Sequence, residues 1–194
     1  LTVDENRIDR FCPPWLGYLF LLNPLRKWVE NPIQILGPFV QEGMMVLEPG
    51  CGMGFFTLPL ARMVGPQGRV VALEIQPKML AVLKRRARKA GLSDRIEARR
   101  IGAHSLGVED LAGSIDFIAA LYMVHEVPDQ YTFLSDTWKA LKPGGKLFII
   151  EPKGHVSLEA FEHTIAIAKS IGFEVQTLHK KIGGRVTLLY KPIS

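Results

Sequence analysis

A chain of 194 residues, 47% hydrophobic and 22% charged, is long enough to bury one substantial core and gives no sign of a second domain. No apolar run reaches about 18 residues, and the first residues, including Asp4, Glu5 and Asp9, lack the basic start of a signal peptide, which excludes a membrane span and points to a cytoplasmic protein. The net charge of +5 is uneven: residues 62 to 100 carry +8 and the remainder −3.

The cysteines, Cys12 and Cys51, lie far apart and one sits in a glycine-rich turn, which argues against a disulfide framework or a metal cluster and fits a reducing compartment. The local positive charge, densest over residues 78–100, is a possible footprint for nucleic acid, although a basic helix face is more often simply solvated.

Residues 11 to 22, Phe-Cys-Pro-Pro-Trp-Leu-Gly-Tyr-Leu-Phe-Leu-Leu, are apolar and aromatic but are interrupted by two prolines and a glycine. Such a stretch needs a cover, as an arm packed on the core would have; an interfacial membrane anchor fits less well, because no basic residues line a polar face. Asn31-Pro32 then starts a short helix towards Phe39, with Asn as the N-cap and Pro at the first helical position.

Met44 to Glu48 reads as a buried strand, followed by Pro49-Gly50-Cys51-Gly52-Met53-Gly54-Phe55 and a helix over Phe56 to Val64. Alternate glycines permit positive φ and remove the Cβ atoms that would hold a ligand off the main chain, while the helix that follows offers free amides. Val70 to Glu74 is a second apolar strand ending in an acid, and Pro77 to Ala90 is a helix with Met79, Leu80, Leu83 and Ala87 on one face and Lys84, Arg85, Arg88 and Lys89 outside.

Ile96 to Ile101 and Asp116 to Leu121 are the third and fourth strands, the latter leading into Tyr122-Met123-Val124-His125-Glu126. A helix over Asp129 to Leu141 stops at Lys142-Pro143-Gly144-Gly145, and Lys146 to Glu151 is the fifth strand. Ser157 caps a helix to about Ser170, and Phe173 to Lys180 with Arg185 to Lys191 form a closing hairpin across Gly183-Gly184. Seven strands result. Helices alternate with the first five, so the expected fold is α/β, a doubly wound and mostly parallel sheet with helices on both faces and one antiparallel strand near the C-terminus.

The turn after the first strand has the form acid-x-G-x-G-x-G. Phe55 stands where a dinucleotide fingerprint G-x-G-x-x-G needs its third glycine, and Glu48 suits a cationic group better than a phosphate. In this turn, and in Leu141-Lys142-Pro143-Gly144-Gly145-Lys146-Leu147, the sequence resembles the class I S-adenosylmethionine-dependent methyltransferases over roughly residues 40 to 191. Residues 1–40 would then be an arm with helices, a lid on the same domain, and residues 41–194 the Rossmann-like domain.

The resemblance implies S-adenosylmethionine as cofactor and S-adenosylhomocysteine as product. It implies contacts from Glu48, Gly50, Cys51, Gly52 and Gly54, from Glu74 to the ribose hydroxyls with Ile75 and Gln76 beside it, and from Leu121 near the methionine end. Ala103 and His104 occupy the place where many relatives carry an Asp for the adenine amino group, and His104 departs from that pattern. His125 is the first candidate for a general base because imidazole titrates near working pH, with Glu126 second; equally, the histidine could only fill the turn or cap the next helix.

The acceptor is expected to be a small molecule, an apolar one being suggested by the aromatic arm. No Asn/Asp-Pro-Pro-aromatic tetrapeptide and no Pro-Cys follows the fourth strand, as enzymes that methylate base amino groups or cytosine carbon would show. The competing readings are a nicotinamide-dependent oxidoreductase and a non-catalytic RNA-binding module that keeps the pocket. No metal is called for, and the sequence leaves the oligomeric state open.

Overall fold

Strands that are apolar on both faces must be covered on both faces, and the alternation of side chains along each strand decides which residues serve which cover. In the computed structural model, which describes residues 30–176 and 183–193, β1 (Met45–Pro49), β2 (Arg69–Glu74), β3 (Ile96–Arg100), β4 (Ile115–Leu121), β5 (Leu141–Glu151), β6 (Glu174–Gln176) and β7 (Arg185–Tyr190) form one sheet in the order β3-β2-β1-β4-β5-β7-β6. Val46, Val70, Phe117, Phe148 and Ile150 face one side, against α1 (Pro32–Leu36) and α2 (Thr57–Met63). Leu47, Val71, Ile118, Leu147 and Ile149 face the other, against α4 (Gln130–Ala140) and α5 (Leu158–Ile171). The fifth described helix, α3 (Pro77–Lys89), seats Leu80 and Leu83 on Ala72 and Cys51.

β1 pairs in parallel with both β2 and β4. From β1 the chain winds outward through β2 to β3 and then returns to build β4 on the other flank, so the order reverses between β1 and β4. At such a reversal the connections leave in opposite directions and a crevice opens beyond the carboxyl ends of the strands.

β7 is antiparallel to both β5 and β6, so among the described strands it alone opposes the rest. The edge strand β6 has three residues, all exposed, and a short polar edge discourages pairing with another chain. Of the expected hairpin, residues 177 to 182 lie outside the described residues, as do residues 11 to 22, the proposed arm or lid.

Two expectations need adjusting. The Pro143-Gly144-Gly145 stretch does not delay the fifth strand until Lys146: β5 begins at Leu141, which pairs with Ile115 before a register shift brings Lys146 opposite Phe117. Gly144 takes φ +78°, and the main chain is bonded to Lys191 on both sides of it, Gly144 N donating to Lys191 O and Lys191 N to Gly145 O. The glycines thus make an irregularity that the neighbouring strand holds, rather than a stop.

The second concerns residues 30 to 40. Asn31 caps α1 by accepting from Ile33 N at 3.0 Å, and Ile35, Leu36 and Val40 are buried with the β1 and α2 residues, so this part of the chain is core. Ser157 caps α5 as expected, accepting from Ala160 N, and Asp129, expected inside the helix, instead caps α4 by accepting from Thr132 N. No described helix is long and apolar enough to cross a membrane.

Candidate active site

The crevice at the β1–β4 reversal is a cavity of about 310 Å³. Its floor is the turn after β1, where Gly50, Gly52 and Gly54 take φ of +69°, +54° and +82°. Cys51 N donates to Leu73 O at 3.0 Å, tying the turn to the tip of β2. A Cβ on Gly50 would stand 3.0 Å from Met123 Cβ, so this glycine lets the segments following β1 and β4 approach each other.

Gly54 serves packing. It does not line the cavity, and a Cβ there would lie 2.4 Å from Leu83 Cδ1 on α3. Beside it, the half-buried Arg86 of α3 donates to Met53 O and fixes the outside of the turn. Gly54→Ala should therefore destabilise the fold by about 2–4 kcal/mol, from left-handed strain plus overpacking. Thermal melts of the ligand-free protein would show the drop, and an unchanged Tm would refute this account of the position.

Three strands carry a buried glutamate at or next to the carboxyl end. Glu48, next to the end of β1, is 3% exposed, and its Oε2 has no hydrogen-bond partner. Burial pushes its pKa up to about 8, opposed by the nearby Thr57 hydroxyl, which makes no hydrogen bond of normal geometry, and reinforced by the charge of Glu74. Glu74 at the end of β2 accepts from Gly52 N at 2.9 Å through Oε2, and from Ile75 N at 2.8 Å and Gln76 N at 2.9 Å through Oε1. Burial still holds it above the usual carboxylate range, the three N–H groups pulling the other way and the charge of Glu126 adding to the rise.

Glu151 at the end of β5 is the one the sequence reading passed over. It accepts from Val124 N at 2.8 Å and His125 N at 3.3 Å, and its Oε2 is paired with His125 Nδ1. The acid at the end of an apolar strand, already present at Glu48 and Glu74, was the signal that could have found it.

Glu48, Gly50, Cys51, Gly52, Glu74, Ile75, Gln76, Ala103, His104, Leu121 and Glu126 all border the cavity, drawn there from four strand ends. His125 does not: its ring lies behind the wall, on Glu151, with Nε2 4.0 Å from Glu126 Oε1. Burial raises the pKa of Glu126, against the pull of His125 and His155. The Cys51 thiol is likewise driven up by burial and is not a nucleophile at neutral pH.

Several lining residues were not singled out as cofactor contacts, among them Met53, Phe56, Met79 and Phe133, which supply apolar wall, and Tyr122. Tyr122 takes φ +60° at the end of β4, the only non-glycine at positive φ among the described residues, with its N–H on Ile150 O at 2.7 Å. Such strain costs on the order of 1–3 kcal/mol and concentrates at functional sites.

The described lining carries four carboxyl groups, Glu48, Glu74, Glu126 and Asp129, and no lysine or arginine. This is a setting for a cationic ligand with an apolar neighbour, and it disfavours phosphates. The basic segment lies elsewhere: Arg69 and Arg99 pair with Glu97, Arg99 also with Asp110, and Lys84, Arg85, Arg88 and Lys89 are exposed on α3.

Residues 47–149 match the family model described as "Methyltransferase domain". The chain is 32% identical over 138 residues to a demethylmenaquinone methyltransferase of Lactococcus lactis, covering 70% of this chain and 53% of that protein. It is 30% identical over 126 residues to the one from Bacillus velezensis, covering 65% and 52%. The chain thus spans about half the length of the curated relatives it matches. Among solved structures, a SAM-dependent methyltransferase from Aquifex aeolicus superposes with a TM-score of 0.74 at 25% identity, covering 97% of this chain and 98% of that one.

Proposed function

From its membership of the methyltransferase domain family, with the class I S-adenosylmethionine-dependent fold, we propose that this chain transfers the cofactor's methyl group to an uncharged, largely apolar small molecule and releases S-adenosylhomocysteine. The observation that carries the reading is the unpartnered, buried Oε2 of Glu48 in a cavity whose described lining has carboxyls but no lysine or arginine. A buried carboxyl oxygen with no partner is costly, and a cationic ligand group that donates to it and favours its ionised form meets that need.

The residues present fit the cofactor. Glu48 would face its ammonium group, Glu74 would accept from the ribose hydroxyls, and Ala103, His104 and Ile75 would border the base. When bound, the cofactor supplies a methyl already activated by its sulfonium. What the protein contributes is alignment: the Gly50–Gly52 turn and the strained Tyr122 segment bring two strand ends close, and holding nucleophile and methyl in line can supply up to about 7–11 kcal/mol. The apolar wall excludes water, which strengthens the electrostatics around the cation. Glu126, at the cavity with a raised pKa, is better placed than His125 to take a proton from the acceptor.

The names of the relatives point to a demethylmenaquinone-like ring as the class of acceptor, in keeping with an uncharged apolar molecule. Cys51, a buried free thiol at the site, suits a reducing compartment such as the cytoplasm. The nicotinamide reading is not favoured, because Phe55 is buried in the core against Phe56 where a third glycine would be needed. An RNA-binding module is not favoured either, since the exposed basic residues of α3 do not border the cavity.

Titration calorimetry with S-adenosylhomocysteine should give a Kd in the micromolar range or tighter, and labelled methyl should pass to demethylmenaquinone supplied in its reduced form, whose electron-rich ring can attack the methyl. Absence of binding heat together with no rise in Tm would overturn the proposal.

A further inference from the structure

Resting on the methyl-transfer reading, we propose that Glu151 is a positioning residue of the site: it holds the His125 ring proton on Nδ1, so that Nε2 faces Glu126 as the next proton acceptor behind the cavity wall. Glu151 sits at the carboxyl end of β5, beside β4, with a side chain 3% exposed. Its Oε1 takes the N–H groups of Val124 and His125, and with Gln130 Nε2 on Val124 O this fixes the short helical turn Val124–Glu126. Its Oε2 meets His125 Nδ1. Burial raises the pKa of Glu151, while His125 and the N–H groups of Val124 and His125 pull it down and favour the carboxylate; as a carboxylate it can only accept, so the proton between them belongs to the imidazole.

That choice settles the other nitrogen. With Nδ1 protonated, neutral His125 carries its lone pair on Nε2, and the group facing that lone pair at 4.0 Å is Oε1 of Glu126. Glu126 borders the cavity while His125 stands behind it. Glu126 is 44% exposed in its side chain, and a side-chain rotation that brings Oε1 about 1 Å closer makes the hydrogen bond to Nε2. His155, its ring centroid 6.3 Å from that of His125, also faces the pair, and the charge of Glu74 acts on Glu126 from across the cavity.

The proton balance is simple. An acceptor X–H gives its proton to the Glu126 carboxylate as the electron pair on X forms the new bond to the methyl carbon, and the carbon–sulfur electrons stay on sulfur. Glu126 passes the proton to Nε2, and the resulting imidazolium lies between two carboxylates, Glu126 and Glu151, which stabilise it. Glu126 is then ionised again, and His125, 24% exposed in its side chain, gives the proton to solvent before the next acceptor reacts. Glu151 touches no substrate; it acts through His125.

Glu151→Gln separates this role from simple support of the turn. The amide oxygen can keep both backbone N–H groups, but its NH2 against Nδ1 makes that nitrogen an acceptor and moves the ring proton to Nε2. Nitrogen-15 spectra of labelled imidazole should show His125 as the Nδ1–H tautomer in the wild type and as Nε2–H in the E151Q variant. Methyl transfer to demethylmenaquinone should fall about tenfold or more in kcat, with the S-adenosylhomocysteine Kd within twofold of the wild type. In a His125→Asn background, E151Q should cost nothing further.

An Nε2–H tautomer in the wild type, unchanged kcat in E151Q, or a further loss on top of H125N would overturn the proposal. The tautomer is read without any acceptor, so the position of the proton is decided even if demethylmenaquinone proves not to be a substrate. Binding of S-adenosylhomocysteine by the wild type decides the methyl-transfer reading separately.

Discussion

Replacing Glu74 by alanine should weaken S-adenosylhomocysteine binding by at least about 100-fold. Two ribose hydroxyls donating to one carboxylate lose hydrogen bonds worth about 1.5–3 kcal/mol each, and the same substitution strips the acceptor from Gly52, Ile75 and Gln76 N–H, which shape the floor of the cavity. Calorimetry on the purified variant reads the loss directly. The glutamine variant keeps one oxygen and should fall between wild type and alanine. An alanine variant that binds like the wild type would remove Glu74 from the cofactor site.

The second large effect is a proton released on cofactor binding. With its pKa pushed up to about 8 in the ligand-free protein, Glu48 is mostly protonated at pH 7, and an ammonium group against Oε2 favours the ionised form. Binding at pH 7 should release roughly 0.9 proton, about half that at pH 8, and essentially none well above it. Calorimetry in buffers of different ionisation enthalpy measures this number. Glu48→Gln should abolish the release and lower affinity; a release that persists in that variant would assign the proton to another group.

The same shift sets the pH dependence of stability. A carboxyl whose folded pKa lies above its unfolded value of 4.5 leaves the ligand-free fold most stable below that value. The contribution is lost progressively as pH rises from 4.5 to about 8. Saturating cofactor, by stabilising the ionised form, should flatten the decline, which melts at several pH values would show.

Much of this was legible in the chain itself because it depends on local chemistry. Glycines at alternate positions specify a turn with positive φ, apolar runs ending in an acid specify covered strands with a polar tip, and Asn31 and Ser157 announce helix starts. The strand sequence with alternating helices gave the parallel sheet, since right-handed crossovers leave little choice of order.

Other features needed partners distant in sequence. Gly54 belongs to the same motif as Gly50 and Gly52, yet its missing Cβ makes room for Leu83, a residue of the next helix but one strand away. The Lys142–Gly145 stretch has the composition of a stop, but a neighbouring strand turned it into an irregularity within β5.

The sequence alone therefore determined the fold class, from the alternation of strands and helices along the chain, and the glycine turn and the strand-tip acids Glu48 and Glu74, because these are set by residues within single strand–turn–helix units. Only the tertiary structure decided that His125 stands behind the cavity and Glu126 at it, that Tyr122 is strained, and that Glu151 grips the turn between them. Those placements depend on β4 and β5 lying side by side in register, and a pairing between segments more than twenty residues apart leaves no mark in either one.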